Sequence, residues 1–228
     1  MKILSVDTTS PRCSVAILED KNLIKELTTD YLTAHSENLM PMIDQILNEC
    51  DLRLSDINLL VCDKGPGSFT GIRISIATIK GFSDSLDIPT IGISSLESLA
   101  YNVPNSDLVC SIVDAKHSNI YYTLFKKGDS KFIEIEESKS STVDEMLETI
   151  SKYKEEITFV GDGAITYKDE ILAKFNTSKI SDIELNAYSL GIAGFTKYKE
   201  TLTSENILPS YLKKPQAEIM LEEKLKCK

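Results

Sequence analysis

Tryptophan is absent from the 228-residue sequence, and histidine and arginine are scarce, with two and three residues. Ten glycines and seven prolines are too few for a linker-rich or low-complexity chain, which excludes disorder as its main state. No apolar run approaches the about 20 residues that a membrane helix needs. The stretch before Asp7 is too short for the core of a signal peptide, so we expect a cytoplasmic protein with no membrane span.

The cysteines exclude two further classes of protein. They number five, and no two of them form a Cys-x-x-Cys pair. A disulfide framework and a zinc knuckle both need paired cysteines, so the pattern indicates a reduced compartment. His35 and His117 stand far apart in the sequence, and a metal site usually needs several ligands at close spacing. We therefore expect neither a metal nor a cofactor.

The charge balance disfavours nucleic-acid binding by the chain alone. The formal net charge is −10, from 25 basic and 35 acidic residues, and the lysines are scattered. Only Arg12, Arg53 and Arg73 carry a guanidinium. A polyphosphate would be repelled by a chain of this charge unless the chain had a strongly basic face.

Hydrophobic periodicity predicts an α/β fold. Three strands that alternate apolar and polar residues are followed by a switch to helical spacing, and a continuous apolar run then predicts a buried parallel strand. The predicted strands of the first part are 2–7, 13–19, 22–29, 57–63 and 89–93, and the predicted helices are 36–50, 72–85 and 95–102. This order predicts a mixed sheet with helices packed on it.

A weak internal repeat predicts two similar halves. The segments 3–7 and 13–18 resemble 110–114 and 119–125, because each apolar strand ends in Asp and a polar turn returns into an alternating strand. Strands at 131–136 and 157–161 and a helix at 187–200 continue the second half. We predict two βββαβα halves, residues 1–103 and 104–212, and a charged tail, residues 213–228.

The turn after the first strand is one candidate site. Asp7, Thr8 and Thr9 offer a carboxylate, hydroxyls and amides, which could hold a metal or a phosphate. The alternative is that these side chains satisfy the turn through bonds to its own backbone. Pro11 removes one donor and this turn has no glycine, which favours the alternative.

The most distinctive segment lies between the buried strand and the second helix. It contains Gly65, Gly67, Ser68, Thr70 and Gly71, and amides at the start of a helix can bind an anion. The spacing fits neither a Walker A loop nor a Gly-x-Gly-x-x-Gly fingerprint. The two interpretations are a nucleotide or anion loop and a tight turn with close helix packing.

Apolar residues cover more than one side of the first two helices. The main stripes are Leu39, Ile43 and Ile46 in the first helix and Ile72, Ile76 and Ile79 in the second, and Met42 extends the apolar cover of the first helix to another side. A soluble monomer seldom leaves a large apolar patch in water, so something covers both sides. On one interpretation these seven residues bind a partner, and a charged residue at position 43 or 76 would abolish pairing in a folded monomer. On the other, a further element of the same chain covers them.

These segments resemble the TsaB (YeaZ) family. The resemblance extends over most of the chain to residues 209–212, and the segment 65–73 is its most specific part. The matching motifs are ILSVDTT at 3–9, HSENLMP at 35–41, GPGSFTGIR at 65–73, SSLE at 94–97, and the strand-turn-strand at 114–122. The tail beyond Leu212 is longer than the family pattern.

The resemblance implies a duplicated actin-like (ASKHA, ribonuclease H-like) fold and a role in bacterial synthesis of threonylcarbamoyladenosine at tRNA position 37. It implies a non-catalytic subunit that pairs with a catalytic TsaD-like subunit, is joined by a TsaE-like ATPase, forms homodimers when alone, and meets tRNA only through the complex. TsaD holds a metal through paired histidines on the first helix, whereas here only His35 is near it. The rival hypothesis is a stand-alone ATP-binding actin-like enzyme or a glycoprotease-like peptidase.

Overall fold

A computed structural model describes residues 1–29 and 35–213. The first half contains a five-stranded sheet in the order β3-β2-β1-β4-β5. Strands β1, β2 and β3 are antiparallel neighbours, and β4 and β5 continue the sheet parallel to β1. The strands are β1 (Lys2–Asp7), β2 (Ser14–Glu19), β3 (Asn22–Thr28), β4 (Leu59–Asp63) and β5 (Thr90–Ile93).

The second half repeats this topology. From one edge to the other, its sheet has the order β8-β7-β6-β9-β10. Each of these strands corresponds to the strand at the same place in the order β3-β2-β1-β4-β5 of the first half. The strands are β6 (Leu108–Asp114), β7 (Ile120–Lys127), β8 (Phe132–Ser141), β9 (Ile157–Val160) and β10 (Lys179–Ser181). Each half therefore has a fifth strand beyond the βββαβα order, and in the first half this is the strand predicted at 89–93. The sequence did not reveal β10, because it has only three residues and none is fully buried.

Seven α-helices lie in the described part of the chain. They are α1 (His35–Glu49), α2 (Phe69–Leu86), α3 (Ser95–Ala100), α4 (Val143–Ile150), α5 (Asp162–Thr166), α6 (Lys168–Lys174) and α7 (Ala187–Thr201). Helix α2 begins three residues before the predicted start because the Ser68 hydroxyl accepts a hydrogen bond from the Gly71 amide. The predicted βββαβα order places a helix between the strands at 131–136 and 157–161 without giving its bounds. This helix is α4, and Thr142 and Glu145 form a capping box at its start. No helix in residues 1–29 and 35–213 has the length and apolar character to cross a bilayer.

The seven apolar residues predicted to bind a partner lie inside the chain. Leu39, Met42, Ile43, Ile46, Ile72, Ile76 and Ile79 are all at most 8% exposed and belong to one core with residues of β1, β2 and β4. We therefore correct the interpretation in which these seven side chains bind a partner. Both helices pack their apolar stripes on the first sheet, so the second interpretation holds.

Two helices pack on the sheet of the opposite half. Helix α7 packs on the first sheet, where Leu190 and Ala193 join a core with Ile3. Helix α3 packs on the second sheet, where Leu96 joins a core with Val109. The division at residues 103 and 104 stays a prediction, and the packing shows that each half contributes a helix to the other.

A C-terminal strap, residues 203–213, returns to the first sheet and covers its edge. The Glu205 amide donates to the Thr90 carbonyl at 2.8 Å, and the Ser210 amide donates to the Lys64 carbonyl at 2.8 Å. Ile207 is 2% exposed and joins the core under α2. The strap thus satisfies backbone groups of an edge strand. Residues 214–228, most of the predicted charged tail, lie outside the described residues.

Candidate functional site

The two halves face each other across a cleft of about 490 Å³. Thr9, Gly67 and Ser68 line it from the first half, and Asp114 and Lys116 line it from the second. Some of the residues predicted to form a nucleotide or anion loop line this cleft and others do not. Three of the eight reach the cleft, whereas Asp7, Thr8, Gly65 and Gly71 are buried behind it and the exposed Thr70 is outside its lining.

The Asp7 turn satisfies its own backbone. Asp7 Oδ1 accepts hydrogen bonds from the Thr9 amide at 2.8 Å and from Thr9 Oγ1 at 2.7 Å. Thr8 Oγ1 donates to the Gly71 carbonyl at 2.7 Å, which ties this turn to α2. These bonds are the ones expected if the side chains satisfy the turn itself, and they occupy groups that a phosphate would need.

The glycines of the 65–71 loop permit close packing. A Cβ on Gly67 would lie 2.6 Å from the carbonyl oxygen of Thr9, and a Cβ on Gly71 would lie 1.7 Å from that of Thr8. The Ser68 amide also donates to the Thr9 carbonyl at 2.8 Å. The loop therefore presses against the Asp7 turn and leaves no room between them for a phosphate.

A buried carboxyl that the sequence did not reveal as a site residue lies next to Asp7. Asp63 ends β4, which pairs in parallel with β1, and the two residues are 0% and 1% exposed. Asp63 Oδ1 accepts from the Gly65 amide and from Ser95 Oγ, each at 2.7 Å. Its Oδ2 has no hydrogen-bond partner within the described residues. The signal was available, because neighbouring parallel strands that both end in Asp bring the carboxyls to the same edge.

The environment of Asp63 favours its protonated form. Burial raises the pKa of the Asp63 carboxyl well above its ordinary value, and the nearby Asp7 carboxyl raises it further. The hydrogen bonds from Gly65 and Ser95 oppose this shift in part. Asp63 therefore holds a proton in the folded chain at a pH where the unfolded chain has lost it.

We expect Asp63→Asn to flatten the pH dependence of stability. In the wild type the folded state binds the proton more tightly, so stability is fully present below the unfolded pKa of about 4 and falls as the pH rises toward the folded pKa. The slope for this group is at most about 1.4 kcal/mol per pH unit. Urea unfolding of both proteins from pH 4 to pH 8 measures it. If the free energy of unfolding depends on pH in the same way in the wild type and in Asp63→Asn, Asp63 is ionised in the folded state.

The charges in the cleft do not favour a polyphosphate. The Arg12 guanidinium pairs with Glu184 at 3.1 Å, and the Lys116 ammonium pairs with Asp114 at 2.7 Å. Asp162 adds a further carboxylate to the lining. Carboxylates therefore outnumber cations in the lining of the cleft. Within residues 1–29 and 35–213, no three His, Cys, Asp or Glu residues are grouped as metal ligands.

The outer sides of α1 and α2 form a second candidate site. Met40 is 51% exposed on α1, and Ala77 and Gly81 are exposed at a spacing of four residues on α2. A Cβ added to Gly81 would meet no atom within 4 Å. Ile74 and Phe82 are partly buried on the same helix. This outer face is less apolar than the sequence implied, but its small residues permit close approach of another helix.

Comparison with known proteins identifies the family. The model for "TsaD: tRNA N6-adenosine threonylcarbamoyltransferase" matches residues 29–221. The tRNA threonylcarbamoyladenosine biosynthesis protein TsaB of Bacillus subtilis is 30% identical over 96% of this chain and 96% of the relative. The chain belongs to the TsaB family. This membership confirms the resemblance predicted from the motifs at 3–9, 35–41 and 65–73.

Solved structures support the predicted fold. YeaZ from Pseudomonas aeruginosa superposes with a TM-score of 0.76 at 22% identity, covering 92% of this chain and 99% of that one. The ROK hexokinase of Thermus thermophilus has a TM-score of 0.52 at 11% identity, covering 88% and 99%. With the two matching sheets, these similarities confirm a duplicated actin-like fold for this TsaB-family chain.

Proposed function

We propose that this chain is a non-catalytic subunit for the synthesis of threonylcarbamoyladenosine at tRNA position 37. It pairs with a TsaD-like catalytic subunit, with a TsaE-like ATPase joining the complex, and forms a homodimer when alone. It acts in the cytoplasm. The TsaB relatives are named for this pathway, and the geometry of the cleft supports the division of labour.

The observation that carries this proposal is the close packing between the Asp7 turn and the 65–71 loop. A stand-alone ATP-binding enzyme would need these two loops to bind the nucleotide. Here a single Cβ at Gly71 would overlap the Thr8 backbone, and the Asp7 carboxyl is occupied by the Thr9 amide and hydroxyl. The excess of carboxylates in the cleft further disfavours a triphosphate. The chain therefore keeps the actin-like frame without a cleft that suits a nucleoside triphosphate.

The docking surface is assigned to the outer sides of α1 and α2. A stable contact covers about 800 Å² of each partner. The outer side of α2 presents Ala77 and Gly81, which let the backbone of a second helix come close, and Met40 adds an exposed apolar side chain on α1. The buried stripes, including Ile43 and Ile76, support this surface from behind.

We expect Gly81→Arg and Met40→Asp to weaken pairing with a TsaD-family subunit at least tenfold in a folded monomer. Both positions face solvent, so the new side chains cost the monomer little but must be buried or displaced at a tight interface. Size-exclusion chromatography with light scattering measures pairing. Ile133→Asp is the matched control, since Ile133 is 49% exposed on β8 of the other half. Wild-type pairing by both variants would exclude this surface.

Reconstituted tRNA modification with and without the chain tests the function itself. We expect modification to need both the chain and the TsaD-family subunit. Titration of the chain alone with Mg-ATP should give no micromolar binding. Micromolar binding that is lost in Asp7→Ala would contradict the proposal and support the rival ATP-binding enzyme.

A further inference from the structure

A second cavity, of about 380 Å³, opens beside the first turn of α2. The start of α2, the β6–β7 turn and the C-terminal strap surround it, and it adjoins the cleft, with which it shares Gly67, Lys116 and Tyr121. Three aromatic residues and three residues with basic side chains line it: Phe69, Tyr121, Tyr211, Lys116, His117 and Lys213. Its volume lies in the range of ligand pockets, about 300–1,000 Å³.

The aromatic residues form an accessible platform. The rings of Phe69 and Tyr211 stack with their centroids 4.8 Å apart, although the two residues are 37% and 41% exposed. The Arg73 guanidinium lies 3.8 Å above the Phe69 ring, and Arg73 Nε donates to the Tyr211 hydroxyl at 3.0 Å. These contacts order two large rings at the surface. Ordered aromatic and guanidinium planes are the groups on which nucleic-acid bases stack.

The charge of the cavity is opposite to that of the chain. No Asp or Glu is among the lining residues found in the described part of the chain, whereas the whole sequence has 35 acidic and 25 basic residues. Lys116 pairs with Asp114, but its side chain is 74% exposed, so this ion pair is weak and can exchange for a phosphate. With Arg73, Lys116 and Lys213, three cations from three separate elements border the platform.

We propose that this cavity binds a nucleotide unit of an unpaired RNA segment. The base stacks on the exposed surface of Phe69 and Tyr211, and the flanking phosphates contact Lys116 and Lys213. Cations on three elements suit a backbone that passes over the platform better than one compact triphosphate. The choice of RNA rests on the proposed function in tRNA modification. The acidic remainder of the chain keeps the contact weak until a partner subunit holds the rest of the RNA.

Photo-crosslinking tests the site directly. The full chain is irradiated at low ionic strength with a fluorescein-labelled 12-nucleotide RNA that contains 4-thiouridine, and crosslinked peptides are identified by mass spectrometry. We expect crosslinks in peptides that contain Phe69, Tyr121 or Tyr211. Fluorescence anisotropy should show at least tenfold weaker binding for Phe69→Leu and weaker binding for Lys116→Ala. Lys126→Ala, an exposed lysine at the other end of β7, is the matched control and should bind as the wild type does.

Four results would overturn the proposal. Equal binding of the single strand and its duplex, unchanged in Phe69→Leu, would show a diffuse charge effect. Displacement of the RNA by micromolar AMP or ATP would assign the cavity to a free nucleotide. Unchanged RNA binding in Phe69→Leu together with lost pairing to the TsaD-family subunit would assign it to a protein contact. Missing crosslinks with intact pairing would refute this inference alone, whereas missing pairing would refute the proposed function.

Discussion

Gly71→Ala is expected to destabilise the fold by more than the about 1–3 kcal/mol of ordinary overpacking. The new Cβ would lie 1.7 Å from the carbonyl oxygen of Thr8 and 2.7 Å from its carbonyl carbon. Both atoms are backbone and Thr8 is buried, so no side-chain rotation relieves the contact. The start of α2 would have to move, and the hydrogen bond from Thr8 Oγ1 to the Gly71 carbonyl would be lost. Urea unfolding followed by circular dichroism measures the effect.

Gly81→Ala is the matched control on the same helix. A Cβ at this exposed position meets no atom within 4 Å, and alanine favours a helix interior by about 0.5–1 kcal/mol over glycine. The same substitution should therefore stabilise the chain at residue 81 and destabilise it at residue 71. Similar stabilities of the two variants would contradict the close approach of α2 to the Asp7 turn.

Ile43→Asp is expected to abolish the folded state near neutral pH. Ile43 is 2% exposed in the core between α1 and the first sheet. Truncation of such a residue to alanine costs about 2–5 kcal/mol, and aspartate adds the cost of burying a carboxylate. The sum is comparable to the whole stability of a typical domain, about 5–15 kcal/mol. We expect no cooperative transition in thermal unfolding.

Met40→Asp separates this effect from docking. Met40 lies three residues earlier in α1 and is 51% exposed, so the free energy of unfolding should change by no more than about 0.5 kcal/mol. A folded Ile43→Asp protein that had lost its partner would restore the original assignment of Ile43 to the interface. An unfolded Ile43→Asp protein beside a folded Met40→Asp protein would confirm the corrected one.

The sequence predicted elements with clear periodicity and failed where the signal was short or depended on three dimensions. Strand β1 and helix α1 had strong apolar patterns and were placed within a residue or two. Strand β10 was too short for a pattern to emerge. The repeat implied α4 without bounds, although its apolar residues at 143, 146, 147 and 150 have helical spacing. The apolar stripe of α1 was recognised, but periodicity shows that a face is buried and not what covers it.

The candidate site shows the same limit. Asp7 was singled out because it ends a strand. Asp63 also ends a strand, but its proximity to Asp7 follows only from the parallel pairing of β1 with β4. The glycines were noticed for their spacing, yet whether a glycine makes room for a ligand or for a neighbouring backbone depends on what stands opposite. At Gly67 and Gly71 the neighbour is the chain itself.

The exchange of α3 and α7 between the halves has a mechanical consequence. Ser98 of α3 and Ser189 of α7 are hydrogen-bonded at 3.1 Å, and each helix covers a sheet that belongs mainly to the opposite half. Rotation of the halves apart would strip both sheets of apolar cover at once, so relative motion is confined to small sliding of one helix along the other. An interlocked body of this kind offers an associating subunit a preformed shape, and little conformational freedom remains to be lost on assembly.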